Sequence, residues 1–292
     1  MFLTEFFQAS PGFLVIFVAI LGLITGSFLN VVIYRYPIML ERQWRKQCDD
    51  LFGDGKADKT GPDQPFNLIV PRSRCPHCGH LIRAFSNIPI ISFMLQKGKC
   101  LDCGHSISLR YPLVEILSAL LAAIVTVYYG FSPETLFAII LTWTLICLSF
   151  IDLDHQILPD DIIYPVLWLG IITNMFGLFT DIYSSLTGAI LGYTILWSVF
   201  MVFKLLTGKE GMGFGDFKLL SLLGAWLGWQ SLPLIILVSS SLGALIGISM
   251  ILSGKQDSNI PIPFGPYLAI AGWIALIWGN DLNLLYLSVV TR

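Results

Sequence analysis

The segment PGFLVIFVAILGLITGSFLNVVI, residues 11–33, decides the fold class of this chain. It contains no charged residue and is longer than the roughly 20 apolar residues that cross a bilayer as a helix. It also exceeds the apolar core of a cleavable signal peptide, and no basic residue precedes it. It ends at Tyr34-Arg35 rather than at a small-residue cleavage site. We therefore predict a retained membrane-spanning helix near the amino terminus.

The composition of the whole chain agrees with this prediction. Of its 292 residues, 55% are hydrophobic and 12% are charged, whereas soluble domains contain about 25% charged residues. The mean hydropathy is +0.75. A net charge of −2 gives no indication of nucleic-acid binding. Membrane lipid is therefore the expected surroundings of most of the chain.

Seven further apolar segments predict membrane-spanning helices. They lie at about 112–130, 134–151, 162–179, 184–204, 217–230, 232–252 and 264–280. The stretch from Asp216 to Leu252 is too long for one crossing, and Gly228 to Pro233 divides it. We therefore expect an all-α polytopic membrane protein with about eight transmembrane helices. A count that is off by one in this stretch would place the carboxyl terminus on the opposite side.

The basic residues predict the orientation of the chain. With the amino terminus outside, the cytosolic segments are 34–111, 152–161, 204–218 and 253–263, and they contain 16 of the 17 Lys and Arg residues. Cytosolic loops carry an excess of basic residues. The expected domains are a first transmembrane helix at 1–36, a cytosolic domain at 37–111 and a seven-helix membrane domain at 112–292. Within the cytosolic domain we expect a mobile linker at about 37–66 and a metal-binding module at about 67–108.

The predicted module carries two similar cysteine motifs. CPHCGH occupies residues 75–80 and CLDCGH occupies residues 100–105. Two C-x-x-C-G motifs at this separation predict a zinc site with four thiolate ligands, namely Cys75, Cys78, Cys100 and Cys103. A Zn²⁺ ion held by four thiolates has no open position for water, so it is expected to be structural.

Two alternatives to this zinc site remain. The cysteines would form disulfides in an oxidising compartment, which a reducing cytosol disfavours. A site with three cysteines and one of His77, His80 and His105 is the other alternative, although we expect these histidines outside the ligand set. Cys48 and Cys147 are predicted to be inert thiols.

Two acidic clusters follow the third and fifth apolar segments, which lie at about 134–151 and 184–204. The first is IDLDHQILPDD at 151–161, and the second is GMGFGDFK at 211–218. In the predicted topology both lie at the cytosolic face. Two nearby carboxylates share a proton, so that one can take a proton from water while the other polarises a carbonyl group. Asp152 and Asp216 are the candidate pair, and the alternative role for Asp216 is to cap a helix.

The other acidic residues have weaker predicted roles. Asp154 lies about 200° around a helix from Asp152, so both cannot face Asp216 equally. Asp160 and Asp161 follow Pro159 and are expected to cap the next helix. Glu115 is expected to pair with a Lys or Arg as a structural tie, with direct catalysis as the alternative. Asn30 is expected to hydrogen-bond between helices.

The motifs together resemble those of the type IV prepilin peptidases of bacteria, and the resemblance covers nearly the whole chain. It includes GSFLNVV at 26–32, the two C-x-x-C pairs, RYPLVE at 110–115, Asp152 with LPD at 158–160, GFGDFK at 213–218 and PFGP at 263–266. These enzymes belong to the wider class of intramembrane Gly-x-Gly-Asp aspartic proteases.

The resemblance implies a specific activity. Family members remove the short basic leader from prepilins and type II secretion pseudopilins at the cytosolic face of the bacterial inner membrane, and Asp152 and Asp216 match their catalytic pair. Full-length members also methylate the new terminal amine with S-adenosylmethionine. Gly98 matches the region of the family to which methyl transfer maps. The oligomeric state is not predicted.

Two other functional classes are alternatives. A proton-coupled transporter would use membrane carboxylates as a relay, and it predicts inverted repeats and acidic residues near the bilayer midplane. The acidic residues here cluster at one face, which disfavours this class. A non-enzymatic scaffold whose zinc module docks pilus-assembly proteins would function without either aspartate.

Overall fold

A computed structural model describes Phe7 and residues 10–52, 66–75, 77–81, 89–252 and 263–290. Over these residues the regular structure is almost entirely helical, with two isolated β-bridges in the cysteine module. The helices are α1 (Pro11–Phe52), α2 (Ile91–Leu95), α3 (Arg110–Tyr129), α4 (Pro133–His155), α5 (Asp160–Met175), α6 (Ile182–Thr207), α7 (Phe214–Leu227), α8 (Leu232–Leu252) and α9 (Gly265–Val290), and a 3₁₀ turn (Trp229–Ser231) precedes α8.

The prediction of an all-α polytopic membrane protein is confirmed. Eight described helices have 14 residues or more and coincide with the eight predicted segments. Among the described residues, five helical segments are long and apolar enough to cross a membrane, and they contain α1, α3, α4, α6 and α8. α5 and α7 are shorter than a full crossing. A count of eight crossings therefore stays a prediction.

α1 continues well beyond its predicted end near residue 36. The helix runs through Pro37 to Phe52, although the sequence predicted a mobile linker at about 37–66. Strong helix formers follow the proline, and Arg45 pairs with Glu41 one turn earlier at 2.6 Å. The linker prediction is therefore wrong for residues 37–52, and its part at 53–65 lies outside the described residues.

The chain divides into two compact units, and the division falls inside α3 between Ile124 and Val125. The sequence predicted a boundary at 111–112. We refer to residues 10–124 as the amino-terminal unit and to residues 125–290 as the carboxyl-terminal unit.

In the amino-terminal unit, α1 packs closely against α3 through two glycines. A Cβ atom on Gly22 would lie 2.6 Å from the Cα of Ala119, and one on Gly26 would lie 2.7 Å from the Cα of Glu115. Small residues allow two helix backbones to approach in this way. Asn30 donates a hydrogen bond from Nδ2 to the carbonyl oxygen of Tyr111 at 3.0 Å. The predicted interhelical hydrogen bond of Asn30 is confirmed.

The carboxyl-terminal unit is built around α7. Its side chains from Leu219 to Trp226 are almost all inaccessible to solvent, and the helix contacts α5, α6 and α9. The last carbonyl groups of α7 receive side-chain donors from its neighbours: Asn174 donates to Ala225 and Trp226 at 2.9 Å, and Ser185 donates to Ala225 at 2.6 Å. These bonds satisfy carbonyl groups that have no partner within the helix.

α6 and α7 touch through a glycine on each helix. A Cβ atom added to Gly224 would overlap the carbonyl oxygen of Gly188, and one added to Gly188 would overlap the carbonyl group of Gly224. Since these neighbouring atoms belong to the backbone, the helices themselves would have to separate. The contact therefore requires glycine at both positions.

We predict that Gly224→Ala destabilises the protein by about 1–3 kcal/mol, because overpacking at a backbone contact forces the helices apart. Thermal unfolding of the purified protein in detergent measures the effect. Gly279→Ala is the matched control, since its new Cβ would meet only the Cβ of Ala275 at 3.8 Å. Equal unfolding temperatures for the two variants would contradict the prediction.

Candidate functional site

The first cysteine motif forms a tight hairpin knuckle. The amide of Gly79 donates to the carbonyl oxygen of Cys75 at 2.9 Å, and the amide of Cys75 donates to His80 at 2.9 Å. Gly79 has φ +71°, which side-chain-bearing residues rarely adopt. The knuckle turns both thiols of the motif toward one point.

The second motif repeats this geometry. The amide of Gly104 donates to Cys100 at 2.9 Å, the amide of Cys100 donates to His105 at 2.8 Å, and Gly104 has φ +70°. The sequence repeat CxxCGH is therefore also a structural repeat of the same hydrogen bonds.

The two knuckles bring four sulfur atoms together. The Sγ atoms of Cys75, Cys78, Cys100 and Cys103 all lie within 4.8 Å of one another, and those of Cys75 and Cys103 are 3.9 Å apart. A tetrahedral ion with bonds of about 2.3 Å to sulfur requires a separation of about 3.8 Å. The four thiols are not joined by disulfides. Backbone N–H groups of Cys78 and His77 lower the pKa of Cys75 to about 7, whereas burial and the neighbouring thiols raise the pKa values of Cys78 and Cys103. The predicted four-cysteine cluster is confirmed and fits a metal ion.

The histidines near the knuckles have other contacts. The rings of His77 and His105 stack with their centroids 4.3 Å apart, and Nε2 of His80 lies 3.6 Å from a carboxylate oxygen of Asp102. Among the described residues, the group of converging ligand atoms contains no histidine. The geometry therefore favours four cysteine ligands over three cysteines and a histidine.

Gly98, the residue predicted from the resemblance to take part in methyl transfer, forms a turn. It has φ +67°, its amide donates to Phe93 at 2.9 Å, and its carbonyl oxygen accepts from Ile107 at 2.7 Å. A Cβ atom on Gly98 would lie 3.0 Å from the ring of Phe93. These contacts explain the glycine by backbone conformation and packing.

Asp152 lies near the carboxyl end of α4 and is only 5% exposed. Its Oδ2 atom accepts a hydrogen bond from the amide of Gly265, the first residue of α9, at 3.0 Å. α4 ends just beyond it, where Gln156 has φ +54° and donates to the carbonyl oxygen of Asp152 at 2.9 Å. Asp154 is exposed, so only the first of the two aspartates faces the interior.

Asp216 is the third residue of α7 and is 7% exposed. The N-cap residue of this helix is Gly213, whose carbonyl oxygen accepts from the amide of Asp216 at 3.3 Å. The residue before Asp216 is Gly215, which packs against Leu158. Leu158 also packs against Gly265, the donor to Asp152. The two predicted aspartates therefore lie near each other and repel when both are ionised.

Leu158, in the connection between α4 and α5, holds this region together. A Cβ atom on Gly215 would lie 2.7 Å from the Cβ of Leu158, and one on Gly265 would lie 3.4 Å from its Cδ1. The same Cβ atom on Gly265 would lie 2.6 Å from Oδ2 of Asp152. Both glycines are therefore needed for the close approach of α7 and α9 to the end of α4.

The acidic residues after Leu158 differ from their prediction. Pro159 occupies the N-cap position of α5, so no side chain forms a capping hydrogen bond there. Asp160 instead lies in the first turn and accepts two hydrogen bonds from Nζ of Lys218, at 2.7 and 2.8 Å. The prediction that Asp160 and Asp161 cap this helix is wrong, because both lie within its first turn and the carboxylate of Asp160 pairs with Lys218 of α7.

Glu115 also differs from its prediction. It is 7% exposed, and its Oε2 atom accepts a hydrogen bond from the amide of Ile90 at 2.8 Å. No Lys or Arg of the described residues forms an ion pair with it. Ile90 precedes α2 and has φ +56°, a strained backbone conformation. The carboxylate of Glu115 therefore stabilises this turn and does not pair with a basic side chain in the described part of the chain.

Sequence analysis missed two partners of the candidate active site. The amide of Gly265 donates to Asp152, and Lys218 anchors Asp160. PFGP at 263–266 was the available signal for the first, because a glycine between two prolines marks a close backbone approach. Pro263 and Phe264 are described, whereas the residues before them lie outside the described part of the chain.

Comparison with known proteins identifies the family. The bacterial peptidase A24 N-terminal domain matches residues 20–129, and the type IV leader peptidase family matches residues 139–248. Prepilin leader peptidase/N-methyltransferases are similar over nearly their whole length: the protein of Stutzerimonas stutzeri is 53% identical over 97% of both chains, and that of Pseudomonas aeruginosa is 50% identical over 98% of both. That of Aeromonas hydrophila is 52% identical over 93% of both. No solved structure matches the chain. The chain therefore belongs to the type IV leader peptidase family.

Proposed function

We propose that this protein is an intramembrane aspartic endopeptidase that removes the leader peptide from type IV prepilins and type II secretion pseudopilins, with Asp152 and Asp216 as its catalytic pair. The observation that carries the proposal is the juxtaposition of these two buried carboxyl groups on different helices. Burial and mutual repulsion favour the state in which the pair holds one proton.

The pair supplies acid and base catalysis without a metal. The ionised carboxylate takes a proton from a water molecule, whose oxygen attacks the carbonyl carbon of the scissile bond. The protonated carboxyl group donates its proton to the carbonyl oxygen. When the tetrahedral intermediate collapses, the C–N bond breaks and the leaving amine takes the proton that the first carboxylate received from water. The hydroxyl group of the intermediate returns a proton to the second carboxylate as the new carbonyl group forms, which restores the pair.

The neighbouring residues prepare this chemistry. The amide of Gly265 fixes one oxygen of Asp152 at 3.0 Å. Gly213 leaves the backbone before Asp216 accessible, since an added Cβ atom would lie 4.0 Å from Oδ2 of Asp216, and this suits the approach of an extended peptide. The ion pair of Asp160 with Lys218 ties the start of α5 to the start of α7.

The location follows from the substrate. A prepilin carries a basic leader in the cytosol and an apolar helix in the bilayer, so its scissile bond lies at the interface. We place the site at the cytosolic face of the bacterial inner membrane, with the amino terminus outside, because 16 of 17 basic residues then lie in the cytosol.

Two cofactors accompany this activity in the proposal. Cys75, Cys78, Cys100 and Cys103 hold a Zn²⁺ ion, which joins the two knuckles and completes a module too small for a large core. S-adenosylmethionine would supply, when bound, the methyl group for the amine exposed by cleavage. Gly98 supports the second reaction by shaping the turn between Phe93 and Ile107.

We predict that Asp152→Asn and Asp216→Asn each lower the rate of prepilin cleavage by about 10³-fold, because an amide neither accepts nor donates the catalytic proton. Cleavage by purified protein, followed by mass spectrometry, measures the loss. The control is Asp154→Asn, whose exposed side chain predicts a rate within about twofold of the wild type. Near wild-type cleavage by either of the first two variants would reject the pair.

We predict that Gly265→Ala lowers kcat by about 10²-fold, because its new Cβ would displace Oδ2 of Asp152 from the working geometry. Steady-state kinetics with a prepilin substrate provide the measurement. A thermal unfolding scan separates this effect from loss of folding. An unchanged kcat in a folded variant would show that this hydrogen bond does not position the catalytic carboxylate.

We predict one Zn²⁺ per chain, measured by inductively coupled plasma mass spectrometry of the purified protein. Cys100→Ser should remove most of the metal, because a neutral hydroxyl replaces a thiolate ligand. Cys48→Ser is the control, since the exposed Cys48 lies outside the cluster. Full zinc content in Cys100→Ser would contradict the assignment.

A further inference from the structure

The amino-terminal unit contains a cavity of about 860 Å³. α1 and α3 supply part of its wall, and the cysteine module supplies the rest. Cavities of about 300–1,000 Å³ are typical of sites for small molecules and cofactors. Neither Asp152 nor Asp216, the proposed catalytic residues, lines this cavity.

Two buried charges of opposite sign line this cavity. Arg35 and Glu115 are each 7% exposed, and no ion pair joins them. Nη1 of Arg35 donates to the carbonyl oxygens of Asn67 and Leu68 at 3.1 and 3.4 Å, while Glu115 accepts from the amide of Ile90. These contacts hold the side chains in place but leave each charge without a counter-ion among the described residues.

An uncompensated buried charge is costly, and the cost falls when a ligand supplies the opposite charge. Arg72, Arg74 and Asp102 also line the cavity but are exposed, so its buried charged side chains are one basic and one acidic group. This pattern fits a zwitterionic ligand. An α-amino acid group has this pattern, since its carboxylate suits a guanidinium and its ammonium suits a carboxylate.

The aromatic side chains that line the cavity favour a ligand that also carries an aromatic ring and a diffuse positive charge. Four aromatic residues line the cavity, namely Tyr34, Phe66, Phe93 and Tyr111. Aromatic rings stack on a nucleobase and attract sulfonium and ammonium groups through their faces. A phospholipid with an ethanolamine headgroup shares the zwitterion but has no ring to stack.

We propose that this cavity binds the methyl donor S-adenosylmethionine, with Arg35 facing its carboxylate and Glu115 facing its cationic groups. The proposal rests on the methyl transfer in the proposed function and adds the residues that hold the donor. Gly98 does not line the cavity, but its two hydrogen-bond partners, Phe93 and Ile107, do. The turn at Gly98 therefore shapes the wall of the site.

Direct binding tests the proposal. Full-length protein in phosphatidylglycerol nanodiscs is titrated with S-adenosylmethionine by calorimetry, in the wild type and in the Glu115→Gln and Arg35→Gln variants. Each substitution should raise Kd by about tenfold or more, as expected for the loss of a charge-assisted contact. Glu134→Gln is the matched control, because Glu134 lies in the first turn of α4, outside the cavity. Zinc content and thermal unfolding verify that each variant is folded.

A second measurement uses the unmodified protein. Photolabelling with an 8-azido analogue of S-adenosylmethionine should mark peptides from residues 27–35 or 90–115. Labelling confined to residues 125–290 would overturn the proposal, as would a Kd unchanged in both folded variants. Nanodiscs containing phosphatidylethanolamine should leave Kd unchanged, whereas competition by this lipid would assign the cavity to a headgroup.

The proposed function is tested separately by the wild type acting on a prepilin. If the wild type cleaves and methylates the substrate while the binding results are negative, the cavity assignment fails alone. If the wild type does neither reaction, the proposed function fails whatever binds in the cavity.

Discussion

The hydrogen bond from the amide of Gly265 to Oδ2 of Asp152 is the contact on which the carboxyl-terminal unit depends. A buried carboxylate must find donors, because leaving it unsatisfied costs more than the bond itself contributes. This donor comes from the start of α9, and Leu158 fills the space beside it. The bond therefore joins the end of α4 to the start of α9 and at the same time fixes the carboxylate proposed to be catalytic.

Close backbone contact is the second constraint on this unit. α7 is short and almost fully buried, and it meets α6 through the pair Gly188 and Gly224. Asn174 and Ser185 donate hydrogen bonds to the carbonyl oxygen of Ala225 near the end of α7. A helix fixed in this way at one end presents Asp216 at the other end on a rigid support. Such rigidity suits acid–base catalysis, in which small displacements lower the rate substantially.

Local sequence patterns predicted the features that arise from residues close together in the chain. The two CxxCGH motifs predicted the knuckles because their hydrogen bonds span only a few residues. Burial of Asp152 followed from its place at the end of an apolar segment.

The partners Gly265 and Lys218 were missed because each comes from a distant helix. The contacts of Asp160 and Glu115 were also mispredicted, because their partners Lys218 and Ile90 lie far away along the chain. The continuation of α1 past Pro37 was missed because the polar composition of residues 41–52 outweighed their helix propensity in the interpretation.

The division of the chain bears on how one protein performs two reactions. The residues proposed for peptide cleavage all lie in the carboxyl-terminal unit, whereas the cysteine cluster and the cavity lie in the amino-terminal unit. Asp152 accepts from Gly265 within its own unit, and Arg35 and Glu115 bond to backbone groups within the other. The hydrogen bonds described for each set of buried groups therefore come from its own unit. We accordingly expect substitutions at the proposed cleavage residues to change peptide cleavage, and substitutions at the cavity to change binding of the methyl donor.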